Sequence, residues 1–137
     1  INAHDPRQVE GVDFGNGYFH AVYKWMNFNS MKTPRGWSCL ITHPLNRLDL
    51  PFTTLSGVVD TDKHNQAINF PFLVKLGFEG VIPAGTPIAQ IIPFKDEAWV
   101  LEKDDSIKKP AMVNKLKAQN AAYGWYKKNV WKRKRFN

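Results

Sequence analysis

The sequence predicts a mainly β domain followed by one C-terminal helix and a basic tail. Between residues 31 and 100, short apolar runs are cut by Pro, Gly, Asn and Asp about every eight to twelve residues. Seven of the nine prolines lie between positions 34 and 93, and helices of ordinary length do not tolerate that density. Short strands at this spacing, with no helical pattern between them, are typical of an antiparallel or mixed sandwich or barrel.

Six segments have the composition of strands, because aromatic and β-branched residues favour a pleated surface. The first follows a Gly-rich loop, and the others lie in the Pro-rich part of the chain. The predicted strands are residues 18–25, 37–42, 52–55, 57–60, 67–74 and 88–92.

The predicted helix lies within residues 106–123, where the composition changes. Pro110 stands where a first helical turn tolerates proline, and residues 111–122 are rich in helix formers. We expect Gly124 to end this helix. Residues 125–137 interleave aromatic and basic side chains and contain no acid.

Length and charge predict one β-rich domain over residues 1–100, with its core in 31–95, and a separate C-terminal segment over 101–137. The chain has 137 residues and is 43% hydrophobic, which is enough for a packed core. Residues 1–100 carry 8 basic and 9 acidic side chains, whereas residues 101–137 carry 11 and 3, a net charge of +8. This asymmetry indicates an acidic partner, such as nucleic acid or an acidic protein surface, or else a solvated helix that aids solubility.

Several classes of protein are not expected. No run of eighteen apolar residues is present to span a membrane, and the N-terminus lacks the pattern of a signal peptide, so we expect a reducing cytoplasm. The single cysteine, Cys39, excludes an internal disulfide and suits a buried position in its strand. No metal site is predicted, because the histidines have no ligand spacing; they are His4, His20, His43 and His64.

Two carboxylates at the end of a predicted strand are candidates for catalysis. If the strand continues through them, Asp60 and Asp62 project from one face, and such a pair can hold one member as a general base. The alternative, favoured for this segment alone, is a strand end that enters an Asp-rich turn. Gly57 and Gly85 are expected at turns that require a positive φ. Gln90 stands alone on the last predicted strand, which usually means an exposed face.

Taken together, residues 33–94 resemble the core of the trimeric dUTPase family and its β-clip relatives. That family has, in order, a Pro-x-Gly-Tyr turn, a Pro-Arg-Ser-Gly motif, a Gly-Val-Ile-Asp-x-Asp-Tyr-Arg-Gly motif and a Gly-Asp-Arg-Ile-Ala-Gln-Leu motif. The segments that resemble them here are 33–37 (TPRGW), 43–47 (HPLNR), 56–62 (SGVVDTD) and 85–91 (GTPIAQI).

The resemblance implies a homotrimer of β-clip, jelly-roll-like subunits with nucleotide sites between neighbours. Asp60 matches the carboxylate that activates the attacking water, with Asp62 as the second carboxylate of its motif. Gln90 matches a glutamine that contacts phosphate, and Asn46 falls where a serine holds the phosphates. Lys63 replaces the tyrosine that packs on the deoxyribose, and for hydrolysis Mg²⁺ would bridge the phosphates.

The departures from the family pattern weaken the case for hydrolysis. Leu45 replaces the arginine of the second motif, and the early Ala-Gly-Tyr-Asp-Leu motif has no counterpart. The Gly-Ser-rich arm that closes over the triphosphate is replaced by the predicted helix and tail. These changes remove charge stabilisation and water exclusion together.

Three functions therefore stay open. The favoured one is a non-catalytic assembly or binding protein on a trimeric scaffold, a role that trimeric β-clip domains also have as decoration proteins of bacteriophage capsids. The chain as a whole is similar to phage proteins of unassigned role. That similarity implies that the protein is found in the host cytoplasm or the virion. The second is a divergent dUTP-type pyrophosphatase with Asp60 as base and Mg²⁺; otherwise no cofactor is expected. The third is nucleic-acid binding by the tail, whose aromatic side chains either stack on bases or dock on a neighbouring subunit. The tail residues concerned are Trp125, Lys127, Lys128, Trp131, Lys132, Arg133, Lys134 and Arg135.

Overall fold

The fold is mainly β, and its strands form two antiparallel sheets. The computed structural model describes residues 1–64, 66–106, 108–120 and 124–133. The first unit, Ile1–Glu97, holds one sheet with the order β1-β2-β6-β4 and a second with the order β5-β3-β7. In the described residues the strands are β1 (Asn2–Ala3), β2 (Tyr18–Trp25), β3 (Trp37–Thr42), β4 (Phe52–Thr54), β5 (Gly57–Val59), β6 (Phe70–Lys75) and β7 (Gln90–Lys95).

The strand predictions are confirmed in type and, for β2 and β3, in both ends. The largest errors concern β6, which begins three residues later than expected, and β7, which is shifted toward the C-terminus. Before β6, Ala67 forms only an isolated bridge with Ser30. Strand β7 continues through Pro93, which pairs with Cys39. A proline is tolerated there because β7 is an edge strand and one side of its backbone needs no partner.

The glycine predictions are half right. Gly85 has a φ of 85°, in the left-handed region that favours glycine. Gly57 is not among the glycines with positive φ, because it lies in β5 and pairs with Ile41. The N-terminal β1 and a 3-10 helix at Pro6–Val9 have no counterpart in the predictions, since both are too short to show a period.

The core joins the two sheets. One buried cluster consists of Ile41 from the second sheet with Ile68 and Phe70, and Trp25 packs against it. The other cluster is formed by Leu50, Phe52 and Phe72, and Trp25 and Ile88 pack against both. Because Trp25 belongs to β2 and Ile41 to β3, the inner faces of the sheets bury each other's apolar side chains.

The second unit, Ala98–Asn137, contains two helices in its described residues: α1 (Lys108–Asn120) and α2 (Trp125–Asn129). Helix α1 confirms the predicted helix but starts before Pro110, which stands in the first turn. Gly124 adopts a φ of 102° and caps the N-terminus of α2, a helix that was not predicted. No residue within α1 is buried. No helix in the described ranges has the length and apolar character needed to cross a membrane.

Candidate functional site

The outer face of the β5-β3-β7 sheet brings most of the candidate residues onto one surface. Leu40 pairs with Val58 on β5 and with Ile92 on β7, while Ile41 on the opposite face enters the core. Side chains alternate along a strand, so every second residue shares the face of Leu40. We call the nine residues so placed the outer face: Ser56, Val58 and Asp60; Thr42, Leu40 and Ser38; and Gln90, Ile92 and Phe94.

The middle of the outer face is an apolar row that crosses all three strands. Val58, Leu40 and Ile92 are direct neighbours across the strands, a spacing at which side chains contact one another. Leu40 and Ile92 are half-buried, but Val58 is 60% exposed. Phe94, next to Ile92 on the same face, is also exposed. The row therefore presents apolar surface to solvent, and covering it with another surface is favourable.

Asp60 lies at one corner of the outer face, in a turn. Strand β5 ends at Val59, and the backbone carbonyl of Asp60 accepts hydrogen bonds from the amides of Lys63 (3.0 Å) and His64 (2.9 Å). The expectation that a strand continues through both aspartates, with Asp60 and Asp62 on one strand face, is therefore wrong, because the chain turns at Asp60. The alternative, a strand end entering an Asp-rich turn, is what the structure contains.

The two carboxylates of this turn have different partners. Asp60 is exposed, and its Oδ1 accepts a hydrogen bond from the buried Ser38 hydroxyl at 3.3 Å. Asp62 is half-buried, and its Oδ2 accepts a hydrogen bond from the amide of Gly36 at 3.0 Å. Asp62 therefore fixes the loop that leads into β3, whereas Asp60 bonds a side chain of β3 itself.

A buried threonine, which the sequence did not single out, anchors the turn. Thr61 is fully buried, and its hydroxyl lies 2.7 Å from that of Thr33 and 3.4 Å from the sulfur of Cys39. The Thr33 hydroxyl in turn donates to the carbonyl of Trp37 at 2.8 Å. Cys39 is buried within β3, as predicted. The only sequence signal for this network is a threonine between two aspartates, which by itself indicates a turn.

Gln90 lies at the opposite corner of the outer face and also has a partner within the chain. Its Oε1 accepts a hydrogen bond from the amide of Leu45 at 3.0 Å. The loop so held contains Asn46, an exposed residue whose φ of 63° is left-handed. Asparagine tolerates this conformation better than most residues do. The structure thus brings Gln90 to the Asn46 loop, and it brings Lys63 to Asp60.

These two corners do not form one site within a single chain. Asp60 lies level with Ser38 on β3, whereas Gln90 pairs with Thr42. Four residues along a strand and two strand spacings put their backbones about 16 Å apart. A single phosphate group is too small to contact both.

The surface next to Asp60 is an open depression of about 430 Å³, lined by Val58, Val59, Asp60, Lys63 and His64. Among the described residues, no three or more His, Cys, Asp or Glu side chains are grouped so as to hold a metal ion. Mg²⁺ requires several oxygen ligands in octahedral geometry, but Asp60 and Asp62 face different partners. Within the described residues, Asp60 and Asp62 therefore do not converge on one Mg²⁺.

The second unit carries the remaining candidates. Trp125 is half-buried, whereas Tyr126 is 62% and Trp131 is 50% exposed. The amides of Val130 and Trp131 both donate to the carbonyl of Tyr126 at 2.9 Å, at the end of α2. Lys134 and Arg135 lie outside the described residues, and the other basic candidates are exposed: Lys127, Lys128, Lys132 and Arg133.

Two surfaces are therefore candidates for a binding function: the outer face of the second sheet, and the basic and aromatic side chains of the second unit. The docking of Trp125 or Trp131 on a neighbouring subunit stays a prediction. Comparison with family models, curated proteins and solved structures finds no significant match to this chain.

Proposed function

We propose that this chain is a non-catalytic, self-associating protein on a dUTPase-like β-clip scaffold, and that the outer face forms the contact between subunits of a homotrimer. The observation that carries the proposal is the apolar row across the whole sheet, with Val58 60% exposed. Two antiparallel sheets and four motifs in the family's order are consistent with such a scaffold. In the β-clip family that residues 33–94 resemble, trimeric domains also serve as decoration proteins of phage capsids, and the proposed assembly role follows that precedent.

The geometry around the apolar row suits a contact with a second copy of the chain. Polar side chains flank the row on both sides, and two of them already bond each other: the hydroxyls of Thr42 and Ser56 lie 2.7 Å apart. A subunit contact can thus bury the row while most of the flanking polar groups keep their partners. An apolar centre with a polar rim is the usual anatomy of such interfaces.

The same geometry disfavours hydrolysis. A general base must reach the water it activates in a site that excludes other water. Asp60 instead borders an open depression, and Asp62 and Gln90 are engaged by backbone amides. At the position of the family's phosphate-binding arginine stands Leu45, which supplies no charge.

Calorimetric titration with a non-hydrolysable dUTP analogue and Mg²⁺ separates the scaffold from the divergent pyrophosphatase. We expect no heat at millimolar nucleotide. Micromolar binding near one nucleotide per subunit would contradict the non-catalytic proposal. In that case Asp60→Asn, compared with Glu79→Gln as an exposed carboxylate outside the candidate site, would show whether Asp60 takes part in turnover.

A second candidate function, binding of a polyanion, is favoured by the charge of the second unit. Residues 106–137 contain ten Lys and Arg and no Asp or Glu. No residue in α1 is buried, so its lysines are exposed to a partner, although Lys108 also forms an ion pair with Asp105 at 2.8 Å. The test is the dependence of heparin and nucleic-acid binding on salt, because release of counterions makes such binding weaken steeply as salt rises. An association that does not respond to salt would contradict this candidate.

A further inference from the structure

We propose that the second unit binds single-stranded nucleic acid, with bases stacked on Tyr126 and Trp131 and phosphates neutralised by the neighbouring lysines and arginines. This inference rests on the polyanion-binding candidate and names its ligand. It depends on the end of α2, where the exposed aromatic and basic side chains occur together.

The backbone at the end of α2 holds the two aromatic residues near each other. The carbonyl of Tyr126 accepts hydrogen bonds from Val130 and Trp131, both at 2.9 Å. Asn129 secures the same turn, because its Nδ2 donates to the carbonyl of Trp125 at 2.8 Å. Tyr126 and Trp131 are nevertheless 62% and 50% exposed. Exposed rings on an ordered backbone are what stacking of bases requires, since every base has a π-face.

The cations lie beside these rings. Lys127 and Lys128 follow Tyr126 within α2, and Lys132 and Arg133 follow Trp131. All four are exposed, and residues 106–137 contain no Asp or Glu side chain to repel a phosphate. Along the chain, two cations therefore follow each ring directly, so a strand whose bases contact Tyr126 and Trp131 meets positive charge next to both.

The distribution of side chains on α1 argues against an anionic membrane as the partner. A helix that lies in a membrane interface needs one apolar face and one basic face. At 100° per residue, Lys109 projects between Leu116 and Val113, and Lys117 follows on the far side of Val113. Basic and apolar side chains are thus mixed around α1.

The exposed aromatic side chains favour a single strand over a duplex. In a duplex the faces of the bases are stacked against one another, so only phosphates, sugars and base edges are available to a protein. A duplex would therefore use the lysines and arginines and leave Tyr126 and Trp131 without a partner. A single strand uses both kinds of side chain.

The test measures binding of the full chain to a labelled dT20 strand and to a 20-base-pair duplex over a range of salt concentrations. We expect Trp131→Ala and Tyr126→Ala each to weaken binding of dT20 about tenfold or more, with duplex binding unchanged. Trp131→Phe should restore most of the affinity. Removing Lys132 and Arg133 together should lower the slope of log K against log salt by about 1.4, at about 0.7 for each lost phosphate contact.

Trp99→Ala is the matched control, because Trp99 is 85% exposed in the same unit but lies beside acidic residues. We expect it to bind dT20 like the unaltered chain. If the Tyr126→Ala and Trp131→Ala proteins bind dT20 like the unaltered chain, and the chain also binds heparin and duplex, the stacking proposal is overturned. The proposal that the second unit binds polyanions is then retained. If no polyanion binds, or only vesicles containing phosphatidylserine do, both are overturned.

Discussion

Replacement of Val58 by aspartate places a carboxylate in the apolar row of the proposed subunit contact. Full burial of a valine side chain stabilises by about 1.5 kcal/mol, so covering its exposed 60% contributes about 1 kcal/mol per subunit. An unpaired carboxylate in the closed contact costs at least about 3 kcal/mol more. The variant should thus weaken association by about 4 kcal/mol per subunit, which is about a thousandfold for each subunit added to the trimer.

The same substitution should change the single chain little. Val58 is largely exposed there, and exposed substitutions shift stability by about 0.5 kcal/mol, or somewhat more for aspartate in a strand. Size-exclusion chromatography with light scattering, over a range of protein concentrations, measures association separately from folding by circular dichroism. Val58→Asp should give a folded monomer at concentrations where the unaltered chain is trimeric.

Val81→Asp is the matched control for this experiment, because Val81 is 88% exposed but does not belong to the outer face. It should leave the trimer intact. A Val58→Asp protein that remains trimeric would refute the placement of the contact. Equal dissociation of both variants would refute the argument that the apolar row is specific.

Three further predictions concern the body of the fold. Phe52 is fully buried against the aromatic core, so Phe52→Ala should lower the free energy of unfolding by about 3–5 kcal/mol. Urea titration measures this loss, and a value below about 1 kcal/mol would contradict the packing of Phe52. Gly85→Ala should lower the free energy of unfolding by about 1–2 kcal/mol because Gly85 has a φ of 85°, whereas Gly57→Ala should be neutral or stabilising. Equal effects of the two substitutions on the melting temperature would contradict the different backbone conformations of the two glycines. Two hydrogen bonds from the Arg47 guanidinium, each 2.8 Å, lower the pKa of Asp49 to about 2. This contribution to stability is present above the ordinary pKa of 3.8 and is lost as pH falls toward 2, so Arg47→Ala should return the carboxyl titration seen by NMR to the ordinary range.

Strands β2 to β7 were predictable because they coincide with short apolar segments between Pro, Gly, Asn or Asp residues. Strand β3 illustrates this, since residues 37–42 match the predicted limits. The limits of β7 were not predictable in the same way, because Pro93 is acceptable only on an edge strand and the strand order is not visible in local sequence. Strand β1 has only two residues, which is too few to show the alternation of apolar and polar side chains by which a strand is recognised.

The outer face could be predicted only in part. Asp60 and Gln90 were identified from their motifs, but their positions at opposite corners depend on the register of β5 and β7 against β3. Register is a long-range property, and a shift of one residue would turn the face over. For the same reason the apolar row of Val58, Leu40 and Ile92 was not foreseen, although each residue lies in a predicted strand.

The mass of the unaltered particle in solution tests the central claim most directly. Sedimentation equilibrium or light scattering at micromolar concentration should give three times the mass of the chain, and dilution should lead to monomer without loss of β structure. A monomer at every accessible concentration would contradict the account, because the apolar row on the outer face would then have no subunit to cover it.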